Sequence, residues 1–343
     1  MKGLNYQNAI LFAFSILVSV LILEVFLNQN DRSSHGGKYS EYRMNGRKYL
    51  LWERPETLSG SGSAIVFVGD SFTAGSKCGF DANLPGQFQK SVGPGRRVIN
   101  LGFPGTGPFS YATRIADYSK EYGKPEFVFV ILYSNDIVME SAMCSYLPGL
   151  AESGRFRPEE VASLKSFCKT VNSREPGAPP PEQTRAGGAI NDILYEHSYA
   201  YRFFREVGAQ VLAFMPRGDG IGRQTYPPAW DDANGTLFRL VEFALEKLKQ
   251  QVGDTPVLVG FYPNVENLSP SNPLVEPYRK AAKLLHEALK IPVYSGFDAY
   301  LSNPEAKRNM TWSLTDAHPS CEAHSIFARW LLERTRDAYG PVF

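Results

Sequence analysis

Ser71 stands where an apolar, β-branched run, residues 64–68, meets the small-residue turn Gly69-Asp70-Ser71. Such a run reads as a buried strand. A serine at its exit lies at the carboxyl edge of a sheet, where open α/β folds bind their ligands. The hydroxyl is exposed there, and the peptide N–H groups of the turn are free to meet an anion. A phosphate loop is excluded by residue order, since that motif needs Gly-Lys-Ser/Thr and the chain reads Gly75-Ser76-Lys77. Nucleophilic chemistry at Ser71 would need partners, because a serine hydroxyl attacks poorly until an imidazole takes its proton.

Three more polar clusters follow apolar runs. Residues 97–100 lead into Gly102-Phe103-Pro104-Gly105-Thr106-Gly107, and residues 127–133 end in Ser134-Asn135-Asp136. Thr315-Asp316-Ala317-His318-Pro319-Ser320 precedes a helical stretch over 322–336. If the runs are strands of one parallel sheet, these clusters gather at one edge.

In that order the residues resemble the SGNH/GDSL hydrolase superfamily. Its four blocks are Gly-Asp-Ser, a loop glycine, an Asn before Asp, and a late Asp/His pair, and the likeness spans residues 64–330 with one long interruption. The resemblance implies Ser71 as nucleophile, His318 as base and Asp316 as the acid that orients it. It implies an oxyanion hole built from the N–H groups of Ser71 and Gly105 and the side-chain amide of Asn135, with Gly102 as the other candidate glycine. Two positions depart from the family pattern. Only Ala317 separates Asp316 from His318 where two residues are commoner, so a backbone carbonyl is an alternative orienter; and Ser134 stands where glycine is more usual.

Taken singly, each of these residues has an ordinary explanation: His318 as a helix-start residue, Asp316 as an N-cap, Asn135-Asp136 as a turn. Their joint order is what points to catalysis. His324 reads as structural, packing at the start of the last helix; His197 and His286 read as helix-surface residues, and His35 lies in a polar loop. No His, Cys or carboxylate pair has metal-ligand spacing, so no metal or cofactor is expected. With 36 Lys+Arg against 35 Asp+Glu and no basic tract, nucleic acid is not an expected partner.

The elements that must position these groups follow from the apolar pattern. Strands at 64–68, 97–100, 127–133, 256–262 and 291–294 alternate with helices at 81–90, 237–251, 278–290 and 322–336. The pattern predicts a parallel sheet with helices on both faces, and the resemblance implies a three-layer α/β/α sandwich around a mainly parallel, flavodoxin-like five-stranded sheet. Residues 61–343 form this domain, and an insertion at 139–235, leaving directly after the Asn135 cluster, is expected to act as a lid or cap.

Residues 9–27 are apolar apart from Glu24 and two serines. The length suits a bilayer, no small-x-small cleavage site follows, and an uncleaved transmembrane helix in residues 1–30 is expected. Residues 31–60 read as a tether with an edge strand at 48–52. The catalytic domain is placed outside the cytoplasm, membrane-anchored and periplasmic. Four cysteines permit three pairings, of which Cys144–Cys168 within the insertion is favoured, with Cys78 and Cys321 near the site.

The sequence therefore points to a serine esterase that removes an acyl group, acetyl first, from a carbohydrate or related ester through an acyl-serine. Alternatives are an O-acyltransferase acting on an envelope or secreted polysaccharide, a lipid esterase, and a non-catalytic polysaccharide-binding or assembly protein.

Overall fold

The computed structural model describes residues 39–52, 57–58, 64–137, 140–172, 230, 232–263, 275–301 and 318–341, together with five helical residues between 15 and 22. The chain divides into two compact units, one of residues 1–35 and 176–223, the other of 36–175 and 224–343. In the first unit the described residues are Ser15, Val18, Ser19, Leu21 and Ile22, with the Ser19 hydroxyl donating to the Ser15 carbonyl at 2.9 Å. Among the described residues no helix is long and apolar enough to cross a membrane, and most of 9–27 lies outside them.

The second unit is built on five strands: β3 Ala64–Gly69, β4 Arg97–Asn100, β5 Phe127–Leu132, β6 Val257–Phe261 and β7 Val293–Ser295. All pair parallel in the order β4-β3-β5-β6-β7. Every residue of β3, β5 and β6 is buried, as continuous apolar runs covered on both faces should be. Strand β7 starts at Val293, two residues later than the sequence pattern places it. Pro292 has no N–H for the ladder and contributes only its carbonyl, which accepts from Val259 N at 3.0 Å.

Helices α2 Leu84–Val92, α3 Pro108–Tyr122, α6 Thr236–Val252 and α7 Val275–Leu289 connect successive strands. The strand order runs one way from β3 to β4 and the other way afterwards. Right-handed crossovers then place α2 on one face and α3, α6 and α7 on the other. A short helix, α8 Phe297–Leu301, follows β7; the last described helix, α9 Cys321–Tyr339, packs on α2, and α3 packs on α6. The direction reverses at the carboxyl ends of β3 and β5, which is where this topology opens a crevice.

Residues expected in the tether form a hairpin instead, β1 Ser40–Met44 and β2 Arg47–Leu51. Its turn residues Asn45 and Gly46 have φ of 50° and 75°, the left-handed pair that a two-residue hairpin loop requires. Met44 and Leu51 are fully buried, and Asp117 on α3 accepts from Asn45 Nδ2 at 2.8 Å, from Arg47 and from the Tyr49 hydroxyl. The edge strand anticipated at 48–52 is thus the second arm of a hairpin clamped on α3.

The described part of the insertion is helical. After a 3₁₀ segment Ser141–Tyr146 come α4 Leu147–Glu152 and α5 Pro158–Asn172. Met143, Leu150, Phe156, Leu164 and Cys168 form a second apolar cluster with Phe109 of α3 and with Leu240 and Phe243 of α6. Glu160 ties the layer down, accepting from the Thr236 hydroxyl and pairing with Arg239, both at 2.5 Å. A disulfide joins Cys144 to Cys168. The remainder of the insertion, 173–229, is outside the described residues, and so is any covering role it has.

Candidate active site

Strand β3 ends at Gly69, and a single helical turn, α1 Ser71–Ala74, starts at once. Asp70 is its N-cap, accepting from Phe72 N at 2.9 Å, and Gly75 closes it in the left-handed conformation at φ 59°. The turn holds the half-buried Ser71 at the helix N-terminus, beside peptide N–H groups that have no partner within the helix.

The neighbouring strands deliver the other clusters. The loop after β4 is fastened to the end of β3: Phe103 N donates to the Gly69 carbonyl at 3.0 Å, and Gly102 N to Asn100 Oδ1 at 3.0 Å. The two glycines of this loop serve different ends. A Cβ on Gly102 would lie 2.6 Å from Ala74 N, so that residue permits close packing; Gly105 has open space around it but sits at φ 70°, where glycine is favoured for its backbone. Asn135 is exposed in the 3₁₀ turn Ser134–Asp136 at the end of β5, and the indole N–H of Trp230 donates to the Ser134 carbonyl at 3.2 Å. Gly105 and Asn135 therefore leave the two strands that flank β3.

His318 reaches the same edge from the far end of the chain. It lies against Phe72 with ring centroids 5.2 Å apart, and Phe72 stacks on Tyr133 at 3.6 Å. Ser71 and His318 line one cavity of about 170 Å³, together with Gly75, Lys77, Pro104 and His324. A disulfide between Cys78 and Cys321, 243 residues apart, links the segment after Ser71 to the first residue of α9, three beyond His318. Asp316 lies outside the described residues. A larger cleft of about 520 Å³, beside Tyr294, Asp298 and Trp330, contains none of these groups. The smaller cavity is the candidate site, because it brings Ser71 and His318 together.

Two buried carboxyls lie beneath the turns. Burial pushes Asp70 up to about 6, against the opposing effects of the Phe72 N–H and His318. Asp136 is raised well above the usual carboxylate range, first by burial and then by the Asp70 charge. Of the two, Asp136 is the more strongly raised. The Asp136 side chain also fixes the Asn135 turn, accepting from Tyr133 N at 2.8 Å.

Two neighbours of the site were not singled out from sequence as active-site groups. Glu140 accepts from Gly107 N at 3.1 Å, Phe109 N at 2.5 Å, Ser110 N at 3.2 Å and the Ser110 hydroxyl at 2.6 Å. It caps α3 in place of Gly107, which has no side chain to do so, and so braces the Gly105 loop from the Asn135 side. No local spacing signals it. His324, read from sequence as structural, is buried and lines the cavity. Its position six residues after His318 was the available signal.

No protein-family model matches the chain, and no curated protein matches its sequence. Solved structures do. A member of the lipolytic G-D-S-L family from Veillonella parvula is 10% identical, with 82% of this chain and 100% of that one covered at a TM-score of 0.41. A lipase/acylhydrolase from Enterococcus faecalis is 14% identical, with 80% and 96% covered at 0.42. A mutant of an acetyl-xylooligosaccharide esterase from a Geobacillus is 15% identical, with 80% and 94% covered at 0.38. At these values the likenesses carry no functional step, which rests on the geometry of the cavity.

Proposed function

We propose that the chain is a serine ester hydrolase of the SGNH/GDSL type that removes a short acyl group, acetyl first, from a carbohydrate ester. The observation that carries this reading is the placement of Ser71 and His318 on one cavity at the switch point of the sheet. In this mechanism the Ser71 hydroxyl attacks the ester carbonyl and passes its proton to His318. The tetrahedral oxygen is met by Ser71 N–H, Gly105 N–H and the Asn135 amide, each worth ~2.7–4 kcal/mol of barrier in comparable sites. The alcohol leaves with the proton from His318, and water, activated by the same imidazole, releases the acid and regenerates Ser71. Asp316 or a backbone carbonyl holds the imidazole. The cavity, at about 170 Å³, is well below the ~300–1,000 Å³ of drug-sized pockets, which favours a short acyl chain.

The location we propose is extracytoplasmic, with residues 9–27 as an uncleaved anchor. Two disulfides support an oxidising compartment, and the apolar run supports the anchor. The test is turnover of p-nitrophenyl acetate by wild type and Ser71→Ala, with and without an acceptor sugar. Acetate release that is lost in the variant supports hydrolysis, whereas acetyl appearing on the sugar in preference to water makes the protein a transferase. Retained turnover in Ser71→Ala removes the mechanism.

A further inference from the structure

The loop that carries the Gly105 N–H runs Gly102-Phe103-Pro104-Gly105-Thr106-Gly107, and its three glycines leave the backbone many conformations. Several contacts fasten it to itself and to α3. The Thr106 hydroxyl donates to the Phe103 carbonyl at 2.6 Å, and the Tyr111 hydroxyl to the Thr106 carbonyl at 3.1 Å. The Arg114 guanidinium lies over the Phe103 ring, 5.1 Å from its centroid.

Glu140 adds a tie of another kind, because it comes from the Asn135 side, five residues beyond that asparagine. Its Oε2 accepts from Gly107 N, the last residue of the loop, while Oε1 accepts from Phe109 N and Ser110 N. The two segments meet closely there. A Cβ on Gly107 would stand 3.1 Å from Glu140 Oε1 and 3.6 Å from the Asp136 carbonyl oxygen. Glu140 is itself held, since its own carbonyl accepts at 3.1 Å from the N–H of the buried Met143, at the root of the insertion.

We propose that Glu140 is a positioning residue of the oxyanion hole, setting the Gly105 loop against the Asn135 turn so that both donors meet the same oxygen. The inference rests on the reading of Ser71 as nucleophile with Gly105 and Asn135 as oxyanion donors. It goes beyond that reading by naming the group that keeps the two donors in register. Such donors act by being in place before the charge develops, and a misplacement of about 1 Å can cost about 10²-fold in rate. The oxygen gains its charge in the transition state, so the loss falls on kcat and leaves KM nearly unmoved. Glu140 touches no substrate in this account.

Glutamine separates this role from capping of α3. In Glu140→Gln the amide oxygen can keep Phe109 N and Ser110 N, while the amide nitrogen, a donor, faces Gly107 N–H and cannot accept from it. Ser110→Ala is the counterpart, removing the 2.6 Å bond from the Ser110 hydroxyl to Oε2 and leaving the Gly107 contact. The test is steady-state hydrolysis of p-nitrophenyl acetate by wild type, both variants and Gly107→Ala, with thermal unfolding of each. In Glu140→Gln kcat is expected to fall by about tenfold or more with KM within about twofold. In Ser110→Ala kcat should stay within about twofold of wild type, whatever the loss of cap does to the unfolding temperature. Gly107→Ala, whose methyl crowds Oε1, should lower kcat in the same sense by a smaller factor. An unaltered kcat in Glu140→Gln, an equal loss in Ser110→Ala, or a loss confined to KM overturns the proposal. If the glutamine variant does not fold, an unaltered kcat in Gly107→Ala overturns it instead. A wild type inert to the ester removes the hydrolase reading, an outcome distinct from an active enzyme whose kcat ignores Glu140.

Discussion

Asp70→Asn removes a buried charge while keeping the cap it forms. Asparagine Oδ1 can still accept from Phe72 N, so α1 and the placement of Ser71 are retained. The carboxyl is 1% exposed, and its pKa is raised from 3.8 to about 6, chiefly by burial. A raised carboxylate lowers stability where it is ionised: between 3.8 and 6 the unfolded chain has released a proton that the folded one still holds. Stability therefore falls as pH rises through this window and levels off above about pH 7. For a single group with these values the penalty is about 2 kcal/mol at pH 5 and about 3 kcal/mol at pH 8. Asp136, raised in part by the Asp70 charge, relaxes when that charge is gone and adds in the same direction. Urea unfolding of the wild type and Asp70→Asn at pH 5 and pH 8 reads this directly. The variant should be the more stable, by an increment that grows by about 1 kcal/mol between the two pH values. A variant no more stable than the wild type at pH 8, or an increment that shrinks with pH, refutes the buried-charge argument.

Replacing Cys78 and Cys321 together by serine should destabilise more than replacing Cys144 and Cys168, about 5 against about 3 kcal/mol on loop entropy for separations of 243 and 24 residues; thermal unfolding measures both, and the first pair should also lower esterase kcat because it links the Ser71 and His318 segments. Gly105→Ala should cost about 1–2 kcal/mol of stability from its φ of 70° and should lower kcat more than KM changes, as steady-state kinetics will show. Asn135→Ala should lower kcat/KM by about 10²–10³ with little change in unfolding temperature, since the side chain is exposed.

Much of this architecture is legible in the chain. The runs at 64–68, 97–100 and 127–133 are apolar because their strands are covered on both faces, and each ends at its cluster because the sheet ends there. The hairpin at 40–51 was also within reach. Asn45-Gly46 between partly alternating residues is a strong hairpin signal, but the surrounding Gly, Ser and Lys read as a solvated tether. What it docks on, Asp117, is some seventy residues away in the chain and has no local trace. The stretch at Ser71 reads as a sharp turn of small residues, whereas Asp70 caps a helix that starts there at once. The link from Cys78 to Cys321 joins residues 243 apart, and the Tyr262–His324 contact residues 62 apart. Pairing of that kind depends on the closed fold, which is why His324 reads as structural packing when seen only beside its neighbours in sequence.

The central claim is that Ser71 is the nucleophile and His318 its base. The direct measurement is intact-mass analysis after treatment with a fluorophosphonate, followed by peptide mapping, on wild type, Ser71→Ala and His318→Ala. The account predicts a single adduct on Ser71 in the wild type with parallel loss of p-nitrophenyl acetate turnover, none in Ser71→Ala, and labelling slowed by orders of magnitude in His318→Ala. An adduct on another residue, or Ser71→Ala protein that still turns over ester, would contradict it.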